Sequence, residues 1–507
     1  MMVAIEADLN LSLKPPTFSL LSQIEGLLTN FNTRAYIVGG FLRDLVIKRE
    51  TADIDIALKA DVLHIAPKVA DNLGGKFVSL DERNGIYRII LPKTGGHPDD
   101  KQWQIDFSAI EGDIENDLSQ RDFTIDAMAI DLNKIIQGVA ISDIIDPFNG
   151  LQDIEKQIVK TTSDTVFKKD AVRLLRAVRL ADELGFTIYS ETEDLIRQNC
   201  HLIATIAGER LREELLRLLE NTKSSQSVLY MDDLGLLTNL ISDLAETKGV
   251  EQPKEHQWDV FNHSVRAIDA IDFVLRKGNW QYTDMKVLDY INWTSELAEH
   301  FKSKVSSGSN RRLLLKLAAL LHDIAKPQTK IINTQGRIRF LGHPKQGASI
   351  VTSILERLRF STRETKQVAT IVYHHLRPVQ TSRDESPTDR AIYRYFRDTD
   401  EVAIDVLFFS LADHLATRGL DLNIAAWRQH SNLVNYMLNQ HKKQRNEIKP
   451  PKLINGHDLM RNLNLKPGPE VGRLLEAIRE AHVCREIKTK DEALVYAHNL
   501  LTSKRGG

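Results

Sequence analysis

Cysteine is nearly absent: Cys200 and Cys484 are the only two in 507 residues. They lie far apart, which excludes a disulfide framework, and neither has metal-ligand spacing. Long apolar runs are missing too. The stretch from Leu313 to Leu321 is interrupted by Lys316 and runs into His322 and Asp323, so no membrane span is expected. The opening MMVAIEADLNLSLKPP has neither a basic start nor an unbroken apolar stretch, so no secretory signal is expected either. These absences make the cytoplasm the expected compartment. Fixed-period repeats are lacking, which excludes a solenoid. Net charge is only −2, so no global bias toward a polyanion or membrane surface exists.

What is present is an ordinary globular mixture, 42% apolar and 27% charged. Its length suggests roughly three or four domains. The charge is unevenly distributed. Residues 301–380 hold 15 Lys/Arg against 3 Asp/Glu, a local excess of 15 − 3 = +12. Residues 97–131 are acidic, with Asp99, Asp100, Asp106, Glu111, Asp113, Glu115, Asp117, Asp122, Asp126 and Asp131. Such a contrast suits a metal-using site beside a polyanion-binding body, although solvated loops and helix faces produce it as well.

Residues 17–146 alternate short apolar runs (AYIVGG, IDIAL, IYRIILP, WQIDFSAI) with helix-like segments such as Asp61 to Asn72. From about residue 150 onward apolar residues recur every three or four positions, as in DAVRLLRAVRLADELGF and ERLREELLRLLE. The fold class is therefore α+β: a head with a small mixed sheet, then a mostly helical neck and body, and a further helical domain. Breaks are expected at Lys248 to Pro253, at SKVSSGSNRR (303–312), and in the basic segment from Lys442 to Lys452. The expected domains are 17–146, 147–250, 255–420 and 442–507.

In YIVGGFLRD (36–44) a strand ends at Gly39 and Gly40 and a helix begins, carrying Arg43 and Asp44. Glycines admit a phosphate close to the backbone, and a helix start and an arginine both favour an anion. A double glycine alone more often marks a plain turn. In ADIDIAL (52–58), strand alternation places Asp53 and Asp55 on one face, where two carboxylates share Mg²⁺ ions. Such ions neutralise a triphosphate and activate a hydroxyl. Asp106, in QIDFSAI, is the candidate third catalytic carboxylate.

GGxxRD followed by DxD resembles the DNA polymerase β-like nucleotidyltransferases. QRDFTIDAMAID (120–131), DPFNGLQDI (146–154) and KKDAVRLLRAVRLADELGF (168–186) narrow the resemblance, over about 35–250, to the bacterial CCA-adding tRNA nucleotidyltransferases and poly(A) polymerases. The resemblance implies that Gly40, Arg43, Asp53 and Asp55 hold phosphates and metals, that Arg121 and Asp122 contact the nucleotide, and that DPFNG is a hinge. Asp170, Arg173, Arg176 and Arg179, spaced three apart on a helix beginning near Lys169, form a polar ridge. By itself an arginine stripe is a solvated face. The resemblance assigns Asp170 and Arg173 to the edge of the incoming base, with Arg176 and Arg179 as further nucleotide-site arginines.

This chain departs from the family pattern at Gln120 (a tandem arginine), Asp126 (Asn) and Lys169 (Glu). Only Ser108 to Gln120 separate the third-carboxylate strand from RDFT. A connector this short resembles the CC-adding subgroup. The expected reaction is therefore addition of C, and in the fuller reading A, to the tRNA 3′ end from CTP and ATP. Poly(A) addition, a CC-only enzyme and a degenerate RNA-binding scaffold are the alternatives.

WDVFNHSVRAID (258–269), LAALLHDIAKP (317–327), FLGHPKQGA (340–348), IVYHHLRP (371–378) and LADHLATRG (411–419) resemble HD-superfamily phosphohydrolases over about 255–420. A histidine in a core is usually satisfied by hydrogen bonds, but six ordered positions argue otherwise. His263, His322, Asp323 and Asp413, on different helices of a bundle, would converge on a metal, and His343 and His375, rather than His374, would add a second. Imidazole and carboxylate together suit Mn²⁺, Ni²⁺, Fe²⁺ or Mg²⁺. Phosphate groups at RNA 3′ ends, including 2′,3′-cyclic phosphates, are the expected substrates. The last segment resembles the C-terminal helical tail of HD-containing members, and Lys442, Lys443, Arg445, Lys449 and Lys452 precede it as either phosphate contacts or a plain basic linker. No protein partner is indicated.

Overall fold

The computed structural model describes residues 13–82, 85–93, 102–138, 141–306, 308–381, 387–446 and 453–503. Asp99, Asp100, Lys449, Lys452 and the Arg445 side chain lie outside them. The chain forms two compact units, Met1–Ile206 with Tyr230–Leu240, and Ala207–Leu229 with Ile241–Gly507. The stretch expected as one neck, 147–250, is thus divided between the two.

In the first unit six strands, β1 (Ala35–Val38), β2 (Asp53–Leu58), β3 (Lys76–Asp81), β4 (Ile86–Ile90), β5 (Gln104–Ala109) and β6 (Ala129–Asp131), form one mixed sheet ordered β3-β4-β5-β2-β1-β6. Only β2 and β5 run parallel. Alternation along β2 sends Ile54 and Ile56 into the core, which leaves Asp53 and Asp55 on the opposite face. Helix Val62–Leu73 follows from its ends: the Asp61 carboxylate accepts the amide of His64, and Gly74 closes it in the left-handed region.

The DPFNG segment is fixed at both ends. Asp146 accepts the amides of Gly150 at 2.7 Å and Leu151 at 2.9 Å. A Cβ at Gly150 would stand 2.3 Å from the Thr124 carbonyl oxygen, so this tight approach to the RDFT segment requires glycine. The helix expected from near Lys169 is broken. Val166–Lys169 ends at Asp170, whose backbone is extended, and a separate helix spans Arg173–Leu184. The physical reason is local: the Asp170 carboxylate turns back to accept the amide of Val172, and its carbonyl accepts that of Arg173.

The second unit is helical. Helices Val260–Val274, Arg311–Leu321, His343–Arg357, Thr362–His374 and Ala403–Arg418 pack on one another. Lys316, which interrupts the apolar run, is completely buried, and its ammonium lies 2.7 Å from Asp272 on helix Val260–Val274. Arg312 meets the other oxygen of the same carboxylate at 2.6 Å. The break expected at 303–312 does not occur: Lys304–Ser306 and Ser309–Asn310 pair as short strands, and Ser306 and Ser309 donate to Glu364 at 2.6 and 2.5 Å. Helices Gly456–Leu463, Pro469–Val483 and Lys490–Ser503 share a small core around Leu459, Leu474 and Ile478. No helix among the described residues is long and apolar enough to cross a membrane.

Candidate active site and metal centre

Three carboxylates meet on one face of the head sheet, on its two central strands. The parallel pairing of β2 and β5 sets Asp55 directly opposite Asp106, with Asp53 two residues along the same face. Asp53 is exposed and Asp55 half-buried. Loss of water around the Asp55 carboxylate pushes its pKa up to about 6, against the pull of Arg121 and helped by Asp106 and Asp126. Carboxylates this crowded leave a negative centre that a divalent cation would neutralise.

Two arginines face these acids. Arg88 on β4, opposite Asp106 in register, grips it through two hydrogen bonds of 2.7 and 2.6 Å. That residue escaped the sequence reading; its signal is a lone charge within the apolar strand IYRII. Arg121 packs over Gly39, where an added Cβ would meet its guanidinium at 2.8 Å and the Asp55 carboxylate at 3.2 Å. Gly39 has φ +65°, so both the space and the backbone conformation demand glycine there.

Arg43 and Asp44 are both buried, with Arg43 Nε and Nη2 on Asp44 at 2.9 and 2.8 Å and Nη1 on Asp126 at 2.5 Å. Burial pulls the Arg43 pKa down, but Asp126 and Asp44 outweigh it and the net shift is upward. Held between two carboxylates, Arg43 braces the turn behind Gly40.

Of the four residues expected on the polar ridge, Arg173 and Arg176 gather against residues 120–122. Arg176 donates to the buried Asp122 at 2.8 Å, and Arg173 donates to the Gln120 carbonyl at 2.9 Å. Burial alone would raise the Asp122 pKa, yet Arg176 and Arg173 hold it below the usual carboxylate range. Arg179 is turned away and buried, paired with Glu183 at 2.9 Å. Asp170 sits at the helix break rather than on the Arg173–Leu184 ridge. Two departures from the family pattern also touch: the Lys169 ammonium donates to the Gln120 side-chain oxygen at 2.9 Å.

In the second unit the expected ligands converge, and Asp323 stands between two groups: His263 with His322, and His343 with His375. Asp323 Oδ2 lies 3.0 Å from His322 Nε2 and 3.6 Å from His263 Nε2, while Oδ1 lies 3.4 Å from His343 Nε2 and 3.9 Å from His375 Nε2. Asp413 Oδ1 stands 3.0 Å from His263. His374 instead faces Arg377.

Helix ends place these rings. His322 and His375 cap the C-termini of their helices, and His343 opens its own. Nδ1 of His322, His343 and His375 meets the carbonyls of Ala319, Phe340 and Val372 at 2.9, 2.9 and 2.7 Å. A carbonyl only accepts, so each Nδ1 carries a proton and leaves Nε2 facing the centre. Burial, with His322 nearby, pushes the His375 pKa down to about 3, and burial lowers that of His343. Nε2 of His343 and of His375 is buried with no hydrogen-bond partner. Neutral, orphaned imidazoles around a buried carboxylate form a donor set that fits divalent metal. The sequence reading missed Lys326, whose ammonium lies 2.6 Å from Asp323 Oδ2.

Comparison with known proteins agrees with this architecture. Residues 35–160 match the poly(A) polymerase head domain, 185–247 the probable RNA- and SrmB-binding site of polymerase A, and 288–418 the HD domain, a match that leaves His263 outside it. The chain is 28% identical over 471 residues to a CC-adding tRNA nucleotidyltransferase of Thermus thermophilus, covering 91% of this chain and 92% of the relative. The Thermotoga maritima CCA-adding enzyme complexed with tRNA shares the fold, with a TM-score of 0.52 at 20% identity and 96% of both chains covered. A CCA-adding enzyme with ATP gives a TM-score of 0.57 at 20% identity, covering 98% of this chain and 96% of that one. With an A-adding tRNA nucleotidyltransferase of Deinococcus radiodurans the identity is 30% over 475 residues, 92% of this chain and 96% of the relative. The chain belongs to the tRNA nucleotidyltransferase family.

Proposed function

We propose that this chain adds nucleotides to the 3′ end of tRNA in the cytoplasm, using CTP and ATP. The observation that carries the reading is the sheet face where Asp53, Asp55 and Asp106 meet Arg88 and Arg121 beside Gly39. The terminal hydroxyl of the RNA attacks the α-phosphorus, a new P–O bond forms, and pyrophosphate leaves. Asp53 and Asp55 would hold Mg²⁺, which supplies charge neutralisation and hydroxyl activation when bound. Arg88 orients Asp106 through two hydrogen bonds, and Arg121, over Gly39, meets the phosphates. Asp122, fixed by Arg176, and Arg173 present acceptor and donor to the base edge, with Asp170 at the helix break as a further acceptor.

A restriction to C has one specific support. After β5 the chain passes through 110–113 directly into helix Ile114–Gln120 and then Arg121, a connector with no room for a long loop. The test offers tRNA transcripts ending before CCA, after C and after CC to each nucleotide singly and in pairs. Two C residues and no A would establish the restricted enzyme, a complete CCA would remove the restriction, and long A tails would overturn the tRNA reading.

The histidine centre is proposed as a metal-dependent phosphohydrolase acting on phosphates at RNA 3′ ends. His263, His322, Asp323 and Asp413 would hold one ion, and Asp323, His343 and His375 a second, with Mn²⁺, Ni²⁺, Fe²⁺ or Mg²⁺ as occupant. Such ions polarise a phosphoryl oxygen when bound. With Ni²⁺ or Mn²⁺ the protein should hydrolyse bis-p-nitrophenyl phosphate and lose this on His322→Ala. No turnover with any of these metals would leave a scaffold.

A further inference from the structure

Strands Lys330–Ile332 and Ile338–Phe340 form an antiparallel hairpin that runs directly into His343. Between Lys330 and Lys345 the segment carries Lys330, Arg337, Arg339 and Lys345 and no carboxylate. Arg337, Arg339 and Lys345 are exposed, and none of the four cations has an ion-pair partner among the described residues. Apolar side chains stand out beside them: Ile331 is 44% exposed, Ile332 65% and Leu341 65%. Ile331 opposes Arg339 in register, so alternation puts Ile331, Arg337 and Arg339 on one face.

The base of the hairpin is tied to the candidate metal centre. The Phe340 carbonyl accepts Nδ1 of His343 at 2.9 Å, and the Phe340 ring lies 5.2 Å from the ammonium of Lys326, which itself contacts Asp323. An arm with unpaired cations and exposed apolar side chains at the mouth of a phosphate-directed site matches one ligand chemistry. The backbone of a single RNA strand meets the cations, and its base faces meet the apolar side chains.

We propose that this hairpin is a strand-holding arm that makes the histidine centre act on the 3′ end of an RNA chain in preference to a free mononucleotide. This rests on the phosphohydrolase reading of the same centre. For a 2′,3′-cyclic phosphate, the oxygen of water bonds to phosphorus, one phosphorus–ribose oxygen bond breaks, and the released oxygen takes a proton. No further reactant is needed.

The experiment loads the full-length protein with Ni²⁺ and compares a short RNA ending in a 2′,3′-cyclic phosphate with 2′,3′-cyclic CMP. The double variant Arg337→Ala/Arg339→Ala should lower kcat/KM on the RNA about tenfold, mainly through KM, and leave cyclic CMP hydrolysis unchanged. The slope of log(kcat/KM) against log salt should fall by about 1.4, near 0.7 for each single-strand phosphate contact. Equal losses on both substrates, or no loss on the RNA, would overturn the arm while the hydrolase reading stood. If wild-type protein hydrolysed neither substrate with Ni²⁺, Mn²⁺, Fe²⁺ or Mg²⁺, the hydrolase reading itself would fall and the arm with it. Self-association abolished by Ile331→Ser/Ile332→Ser, with RNA hydrolysis untouched, would assign the face to a second copy instead.

Discussion

The two candidate cation sites are built in opposite ways. In the head the carboxylates line an open face of the two central strands, with Asp53 exposed and Asp55 half-buried, and their nearest cations, Arg88 and Arg121, come from neighbouring elements. In the helical unit His263, His322, Asp323, His343 and His375 are all buried, and backbone carbonyls have set the tautomer of three rings. An open face suits a cation that arrives with a triphosphate, since Mg²⁺ is commonly held by one or two carboxylates and the substrate's own phosphates. A closed, preoriented set suits an ion retained between turnovers. Even the buried charge behind each site is inverted: one cation, Arg43, between Asp44 and Asp126 in the head, and one carboxylate, Asp272, between Lys316 and Arg312 in the helical unit.

The largest effect expected is a crossed loss of activity. Asp53→Ala should lower nucleotide addition on the order of 10³-fold, because a metal's charge stabilisation is worth several kcal/mol. Phosphoester hydrolysis should stay near wild type. Asp323→Ala should do the reverse. Near-normal nucleotide addition by Asp53→Ala would show that the head site is misassigned, and loss of both activities in either variant would show that the sites are not independent.

Next in size is the buried triad of the helical unit. Asp272→Ala leaves Lys316 and Arg312 without their shared carboxylate, and removing one partner of a buried pair costs about 3–5 kcal/mol. Urea unfolding measures this, and a change below about 1 kcal/mol would mean that water or a rearranged partner reaches Lys316. The pair has a pH signature as well. Burial pushes the Lys316 ammonium down to about 8 from its ordinary 10.5, so between these values the unfolded chain binds more protons than the folded one. Stability from this group therefore rises as pH climbs from about 8 to 10.5 and is flat below. Lys316→Met should remove that rise from the difference between the two pH–stability profiles.

The closed centre should also hold metal through dialysis against a chelator that strips the head at once. His375→Ala should cost more than the roughly ten- to hundredfold in metal affinity that loss of a mere outer partner of a ligand costs. Metal content after gel filtration reads this directly, and unchanged retention would remove His375 from the ligand set.

How legible each site was follows from the separation of its parts. Asp53 and Asp55 share one strand, so alternation alone placed them together, and the six histidine-centre positions each stood in a recognisable segment. Arg88 and Asp106 are 18 residues apart, and only the register of β4 with β5 makes them partners. Lys316 and Asp272, 44 residues apart, were invisible for the same reason; the interrupted apolar run marked one end of that pair but not the other. Periodicity misled at Asp170, because spacing cannot see an aspartate whose side chain competes with the helix for backbone amides. That Asp126 meets Arg43 was equally hidden, since the two are 83 residues apart.

The smallest effect, and the one that speaks most directly to nucleotide choice, concerns Gln120 and Lys169. Each departs from the family pattern, yet they form one contact of 2.9 Å, and Arg173 leans on the backbone of the same glutamine. In this contact the acceptor is neutral and the donor a cation. Both side chains are accessible to water, which limits the energy at stake to about 1 kcal/mol and the change in KM for CTP to roughly fivefold. The order of variants follows from charge. Lys169→Glu keeps a partner, since the Gln120 amide is also a donor. Gln120→Arg alone sets two cations side by side next to Arg173 and should raise KM most, whereas Gln120→Arg/Lys169→Glu restores opposite charges and should return KM toward wild type. If the double variant were no better than Gln120→Arg alone, the contact would be incidental to how Arg173 is presented to the incoming base.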